Sequence, residues 1–185
     1  MHRIPSRVFA VAGAMLLATS AIGAQGTQQA SGRPVTIGGS LGATLPIGDF
    51  GDIADVGFHV GGLVEYAQPN WPFLLRGEAT YHRNGISDID GNASILSFVP
   101  NIVFPLGDPA ATARPYIIGG LGLYRVKIDL DTFGSDSETK IGFNAGAGFK
   151  FNLTGFATFV EARFHSAQTS DGSTNFIPLS FGFTF

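Results

Sequence analysis

Between Thr139 and Leu153 the chain alternates without a break. Ile141, Phe143, Ala145, Ala147, Phe149, Phe151 and Leu153 take every second position, and Lys140, Gly142, Asn144, Gly146, Gly148, Lys150 and Asn152 take those between. Successive side chains of a strand point to opposite faces, so this segment sorts into one apolar and one polar face. As a helix it would scatter its lysines and phenylalanines around the axis and carry three interior glycines, at about 1 kcal/mol each. The segment is predicted to be a strand.

The same test finds seven more strands. Val35–Leu45 sets Val35, Ile37, Leu41, Ala43 and Leu45 against Thr36, Ser40 and Thr44. Gly57–Ala67 sets Phe58, Val60, Val64 and Tyr66 against His59 and Glu65, and Phe73–Arg83 sets Phe73, Leu75, Ala79 and Tyr81 against Arg76, Glu78, Thr80 and His82. Ala93–Phe104 sets Leu96, Phe98, Ile102 and Phe104 against Ser97 and Asn101. Pro115–Ile128 is apolar on both faces at first, then resolves into Tyr124, Val126 and Ile128 opposite Arg125 and Lys127. Phe156–Ser166 sets Phe156, Val160, Ala162 and Phe164 against Glu161, Arg163 and His165. Asn175–Phe185 ends the chain with Ile177, Leu179, Phe181, Phe183 and Phe185 opposite Pro178, Ser180, Gly182 and Thr184.

Eight alternating strands of about ten residues are the pattern of a transmembrane β-barrel. Composition agrees. Only 14% of the 185 residues are charged, against roughly 25% in soluble proteins, yet no apolar run reaches the ~18–20 residues of a membrane helix. In lipid only a closed barrel satisfies every backbone group, because an open edge leaves donors and acceptors unpaired. A cation on the lipid face near the midplane costs about 2–4 kcal/mol, so Arg76, Lys150 and Arg163 are expected to point inward. All four tyrosines, Tyr66, Tyr81, Tyr116 and Tyr124, have the parity of the apolar outer face and sit near strand ends, as interfacial aromatics do. Trp71 lies in a turn beside Phe73. The alternative, a soluble barrel around a ligand pocket, calls for a richly charged outer face, which is missing here. An aromatic content of 12% excludes disorder, and the lack of cysteine excludes a disulfide scaffold, a thiolate zinc site and a cysteine nucleophile. With 11 basic and 14 acidic residues, net −3, there is no basic footprint for nucleic acid.

Residues 1–24 have the order of a secretory signal: Arg3 and Arg7, the ten-residue apolar run Val8–Leu17, then small residues ending at Ala24. Ten apolar residues span only about half a bilayer core as helix, so an anchor is disfavoured. Cleavage after Ala24 removes both arginines and leaves 9 basic against 14 acidic residues, net −5. Residues 25–33 are polar and unpatterned, a short lead-in, and 34–185 form the barrel. The connecting segments Pro46–Val56, Asn84–Asn92, Asp129–Glu138 and Gln168–Thr174 hold ten of the fourteen acids and no Lys or Arg, while Gln68–Pro72, Pro105–Arg114 and Leu153–Gly155 hold one acid, Asp108. Acidic loops outside and short turns inside follow the barrel rule.

The signal, the alternating strands and the closing segment NFIPLSFGFTF together resemble the small outer-membrane β-barrel family of diderm bacteria, the OmpA/OmpX-like group. The resemblance spans the mature chain. It implies an eight-stranded antiparallel up-and-down barrel in the outer membrane, with Phe181, Phe183 and Phe185 as the C-terminal signal read by the outer-membrane assembly machinery. The expected surroundings are outer-membrane lipid and lipopolysaccharide. Family members serve as structural barrels, adhesins, surface-protection proteins or, rarely, lipid-modifying enzymes, so the fold leaves activity open.

An eight-stranded barrel has a lumen that side chains can fill. Glu65, Arg76, Glu78, Arg125, Lys127, Lys140, Lys150, Glu161 and Arg163 are expected inside as a mixed-sign network, with Glu65 diagonal to Arg76. A structural or surface-interaction role follows from a plugged lumen, and the alternative is a narrow porin-like channel along that network. His59, His82 and His165 share the inward face; a metal site is weighed against polar lining, and the apparent separation of the third and seventh strands favours lining. His165 and Ser166 resemble part of a lipid-deacylase site, but the position two after His165 is Ala167 and strand neighbours face apart. No enzyme chemistry or cofactor is therefore expected. The acids Asp88, Asp90, Asp129, Asp131, Asp136 and Glu138 do not reproduce a calcium-loop pattern and are expected to be solvated.

Overall fold

In lipid a strand can leave neither edge unpaired, and the chain meets that demand by closing on itself. The structure, a computed structural model, describes residues 34–87, 91–130, 134–169 and 172–185. The expected signal and lead-in, and Asp88, Asp90, Asp131 and Asp171, lie outside the described residues. Eight strands follow in order: β1 (Val35–Ile47), β2 (Gly57–Tyr66), β3 (Leu74–Gly85), β4 (Gly91–Pro105), β5 (Ala113–Leu130), β6 (Gly134–Asn152), β7 (Ala157–Thr169) and β8 (Gly172–Thr184). Each pairs antiparallel with its neighbours in sequence, and β1 pairs with β8 to close an up-and-down barrel. A 3-10 turn, Gly48–Phe50, follows β1.

Three connections, β2–β3, β4–β5 and β6–β7, lie at the same end as the start of β1 and the end of β8. The β6–β7 turn reverses the chain in four residues, with Gly155 at φ 89°, a conformation that costs glycine nothing. At the opposite end the strands overshoot. β5 and β6 reach 18 and 19 residues, where about 9–11 cross a bilayer. Asp129–Glu138, expected as a loop, is largely a continuation of this hairpin, paired up to Leu130↔Gly134. The cause is local. Antiparallel pairing continues past the membrane because neither strand meets a breaker, and polar residues can sit on both faces once lipid ends.

Apolar side chains such as Ile37, Leu41, Val60, Phe98, Leu121, Ile141 and Phe149 cover the outside. Aromatics gather at its two rims. At the short-turn end Tyr66, Trp71, Phe73 and Phe104 form a chain of rings with centroids 6.4, 4.9 and 5.6 Å apart. Toward the other end Phe143 and Phe164 meet at 6.0 Å.

The tyrosine expectation holds for Tyr66 and Tyr81 and fails for the other two. Tyr116 and Tyr124 are 2% and 0% exposed, inside the barrel, and Arg125 points outward. On a strand that is apolar on both faces, Arg125 was the cue to orientation. It lies on the part of β5 close to the overshooting end, where a cation on the lipid side costs little. Inside, both phenols find partners, as buried tyrosines require: Tyr116 donates to Glu161 at 2.8 Å, and the Tyr124 hydroxyl lies 3.0 Å from His165 Nδ1.

The interior is therefore less polar than alternation suggests. Leu63, Val103, Tyr116, Ile118 and Phe159 form one buried cluster. A second, with Ile95, Val99, Tyr124, Val126 and Phe176, fills the loop end and is capped by Phe50 and Ala54 from the β1–β2 connection. Inward glycines make room for the rings. A Cβ on Gly148 would sit 2.5 Å from the Tyr116 hydroxyl, and one on Gly182 would collide with the Phe159 ring.

Candidate functional site

β3 carries Arg76, Glu78, Thr80 and His82 on its inner face, and β7 carries Glu161, Arg163 and His165. Period two on both strands aims these groups at one axis. Arg76 sits at its centre. Its guanidinium is fully buried and reaches Glu65 at 2.8 Å, Glu161 at 2.8 Å and Glu78 at 3.7 Å. Glu65 is directly opposite Arg76 in the β2–β3 register rather than diagonal to it. Arg76 also lies over the rings of Phe159 and Tyr116, at 4.9 and 5.4 Å, so the cation is held by carboxylates at its edge and by aromatic faces.

Arg163 completes the network. It donates to Glu78 at 2.5 Å and lies 2.7 Å from Glu161, with the N–H of that second contact not aimed at the oxygen. Lys150 closes the short-turn end through Glu65 at 2.6 Å. Asn101 donates to Glu78 and Asn144 to Asn101, extending the network onto β4 and β6. Three cations, Arg76, Lys150 and Arg163, thus face three carboxylates, Glu65, Glu78 and Glu161. A charge-neutral set of this kind can persist away from water, because each charge finds an opposite one.

Three of the expected members lie elsewhere. Arg125 is exposed on the outer face, where it donates to Ser137 at 3.4 Å. Lys127 is half-exposed on the same face and pairs with Asp129 at 2.5 Å. Both are corrections to the lumen set and follow from the reversed face of β5. Lys140 is inward but away from the network, near Thr174 at 3.3 Å and Glu138 at 3.8 Å. Two functional residues escaped the sequence. Tyr116 takes the face of β5 opposite to the expected one, and Phe159 shares the inward parity of Glu161 and Arg163 but has no polar group to mark it.

Next to the network, toward the loop end, are the three histidines. The His59 and His82 rings are 5.2 Å apart and His82 and His165 6.4 Å. Strands three and seven were expected to be too far apart for this, but an eight-stranded barrel is narrow enough for opposite walls to touch. Both His59 Nδ1 and His82 Nδ1 lie on Thr44 Oγ1, at 3.2 and 2.9 Å, and His59 Nε2 lies 3.0 Å from Ser180 Oγ. The three rings line a cavity of about 10 Å³ with Glu78, Thr80 and Arg163, at the lower limit for one water. Among the described residues no group of His, Asp and Glu is arranged to hold a metal ion. Beyond His165, Ala167 is buried in the interior apolar cluster at the loop end.

Phe181, Phe183 and Phe185 project outward from β8. The main chain of Phe185 exchanges hydrogen bonds with Ile37 at 2.9 and 3.2 Å, so the last residue takes part in the seam that closes the barrel.

Residues 14–185 match the family described as outer membrane protein beta-barrel domain. No curated protein matches the chain by sequence. Among solved structures the chain is similar to Neisserial surface protein A, NspA, with a TM-score of 0.65 at 16% identity, over 82% of this chain and 96% of that one. It is also similar to the N-terminal β-barrel domain of Pseudomonas aeruginosa OprF, with a TM-score of 0.52 at 17% identity, over 83% and 98%. The Yersinia pestis outer membrane protein Ail in a phospholipid bilayer nanodisc gives 0.51 at 20% identity, over 83% and 100%. At these identities the likeness is one of fold, and it agrees with the closed eight-stranded topology. The chain belongs to the outer membrane protein beta-barrel domain family, and its place is the bacterial outer membrane.

Proposed function

We propose that this protein is a closed barrel with a structural or surface-interaction role, and that it conducts neither ions nor small solutes. One observation carries the reading: side chains meet across the lumen at three levels. Lys150 and Glu65 occupy the short-turn end, the buried ion pairs of Arg76 and Arg163 the middle, and the Phe50, Ile95 and Phe176 cluster the loop end. The cavity lined by His59, His82 and His165 holds about 10 Å³, too small to carry a hydrated ion. What remains available for partners is the outside: acidic loops above the membrane, the apolar belt within it, and Phe181, Phe183 and Phe185 toward the assembly machinery and lipid.

A narrow channel is the competing reading, favoured by the run of charged groups from Lys150 inward. Reconstitution in planar bilayers separates the two. A silent barrel is expected, and stepwise single-channel currents would overturn the proposal. Lipid-modifying activity is tested separately by mass spectrometry of lipid A with and without expression, where unchanged acyl chains are expected.

A further inference from the structure

The outward rows of β3, β4 and β5 can be read across the sheet from the register. Ala79, Phe98 and Leu123 share one row; Tyr81, Leu96 and Arg125 the next; Arg83, Ser94 and Lys127 the one above; and Gly85, Asn92 and Asp129 the last. The outer surface thus turns from wholly apolar to cationic within two rows. Neighbouring strands are ~4.8 Å apart and residues two apart on a strand ~7 Å, so Lys127 lies within about 10 Å of both Arg83 and Arg125, and the two arginines are about 12 Å apart. Arg83 and Arg125 are exposed and, among the described residues, have only neutral partners: Asn92 at 3.3 Å and Ser137 at 3.4 Å. The acid nearby is Asp129, paired with Lys127.

The geometry points to a binding site on this face for a phosphate-bearing lipid headgroup of the outer leaflet. Charge identifies the ligand as an anion, and two arginines favour a phosphate, which a guanidinium can grip with two parallel hydrogen bonds. Position identifies it as a lipid. The row beneath is Phe98, Leu123 and Ala79, which face acyl chains, so a ligand reaching both rows is charged above and apolar below. In sequence the four connecting segments at this end carry ten acids, Asp129 included, and no Lys or Arg, so an anion is favoured at the rim over the loops. The inference rests on outer-membrane placement and is independent of whether the lumen conducts.

The test uses the mature barrel in neutral detergent micelles, titrated with bisphosphorylated lipid A and read by native mass spectrometry. Wild-type protein is expected to retain the lipid. R83Q, R125Q and K127Q should each weaken retention about fivefold and the triple variant roughly a hundredfold, taking ~1 kcal/mol per cation. D129N, which releases Lys127, should tighten it. Lipid A stripped of phosphate should bind wild type no better than intact lipid A binds the triple variant, and millimolar inorganic phosphate should not displace the lipid. Heat-modifiable gel mobility verifies folding, and the single variants carry the test if the triple one does not fold. Retention unaffected by the substitutions, equal retention of dephosphorylated lipid A, or displacement by inorganic phosphate would each overturn the proposal.

Discussion

Arg76 of β3 and Glu161 of β7 stand on opposite walls of the barrel, and their side chains meet across the lumen at 2.8 Å. The contact ties together strands that share no backbone hydrogen bond. Replacing Arg76 with leucine would leave three carboxylates around an apolar side chain. Breaking one side of a buried pair costs about 3–5 kcal/mol, whereas replacing both members by apolar residues is often neutral. R76L should therefore lower stability by that amount in urea titrations of barrel folded into lipid vesicles. R76L/E161L should recover part of the loss, because Glu65 keeps Lys150 and Glu78 keeps Arg163. A loss below about 1 kcal/mol for R76L would mean that water reaches the network.

Two glycines provide a matched pair. A Cβ on Gly148 would lie 2.5 Å from the Tyr116 ring and 2.6 Å from the Val160 carbonyl oxygen, whereas one on Gly77 meets nothing within 4 Å. G148A should displace Tyr116 from its hydrogen bond to Glu161 and cost about 1–3 kcal/mol, as overpacking does. G77A, on the outer face of β3, should be neutral or stabilising by up to about 1 kcal/mol, since alanine loses less backbone entropy in a strand. Equal effects in the two variants would show that the lumen yields more readily than its packing implies.

The strands were legible because seven of them concentrate their polar groups on one face through the membrane span, as β6 does from Ile141 to Leu153, even though Ile95, Val99 and Val103 of β4 also point inward. β5 was not, because its inner face carries Tyr116, Ile118, Tyr124 and Val126, which look the same as lipid-facing groups. Orientation then fell to Arg125, and a sequence does not print the depth at which an arginine sits. The inward direction of Arg76, Glu78, Glu161 and Arg163 followed from alternation, but the pairing did not. Arg76 and Glu161 are 85 positions apart, and only barrel closure brings them together. The histidines repeat the lesson, since a reasoned distance between β3 and β7 became a ring contact in a narrow barrel. Asp129–Glu138 read as a loop because acids mark exposed segments, yet exposure and strand pairing coexist above a membrane.

Phe176 tests which layer seals the barrel. It is fully buried, with ring centroids 5.0 Å from both His82 and His165. F176A should destabilise the barrel by about 3–5 kcal/mol, the usual cost of removing a buried phenylalanine. It should also remain silent in planar bilayers, because the Arg76 and Arg163 ion pairs still block the axis below the space it opens. Currents in F176A but not in wild type would assign the seal to the apolar cluster instead.

The last residue separates folding from assembly. Phe185 joins the seam through its main chain, bonded to Ile37, while its ring is exposed on the lipid side and stacks with Phe183 at 6.0 Å. F185A keeps both backbone bonds and removes only the ring. Purified F185A should therefore refold into vesicles with a loss of about 1 kcal/mol, a fraction of a full phenylalanine burial because the ring sits at the membrane rim. Deleting Phe185 also removes the two seam bonds and should cost more in the same measurement. If the assembly machinery reads the outward aromatics of β8, the order in cells is different: F185A should accumulate as unfolded protein nearly as strongly as the deletion, despite being close to wild type in vitro. The comparison is the heat-modifiable fraction in isolated membranes against the refolded fraction in vesicles. Wild-type levels of assembled F185A in membranes would show that the ring serves only the lipid interface, leaving closure of the β1–β8 seam to the backbone.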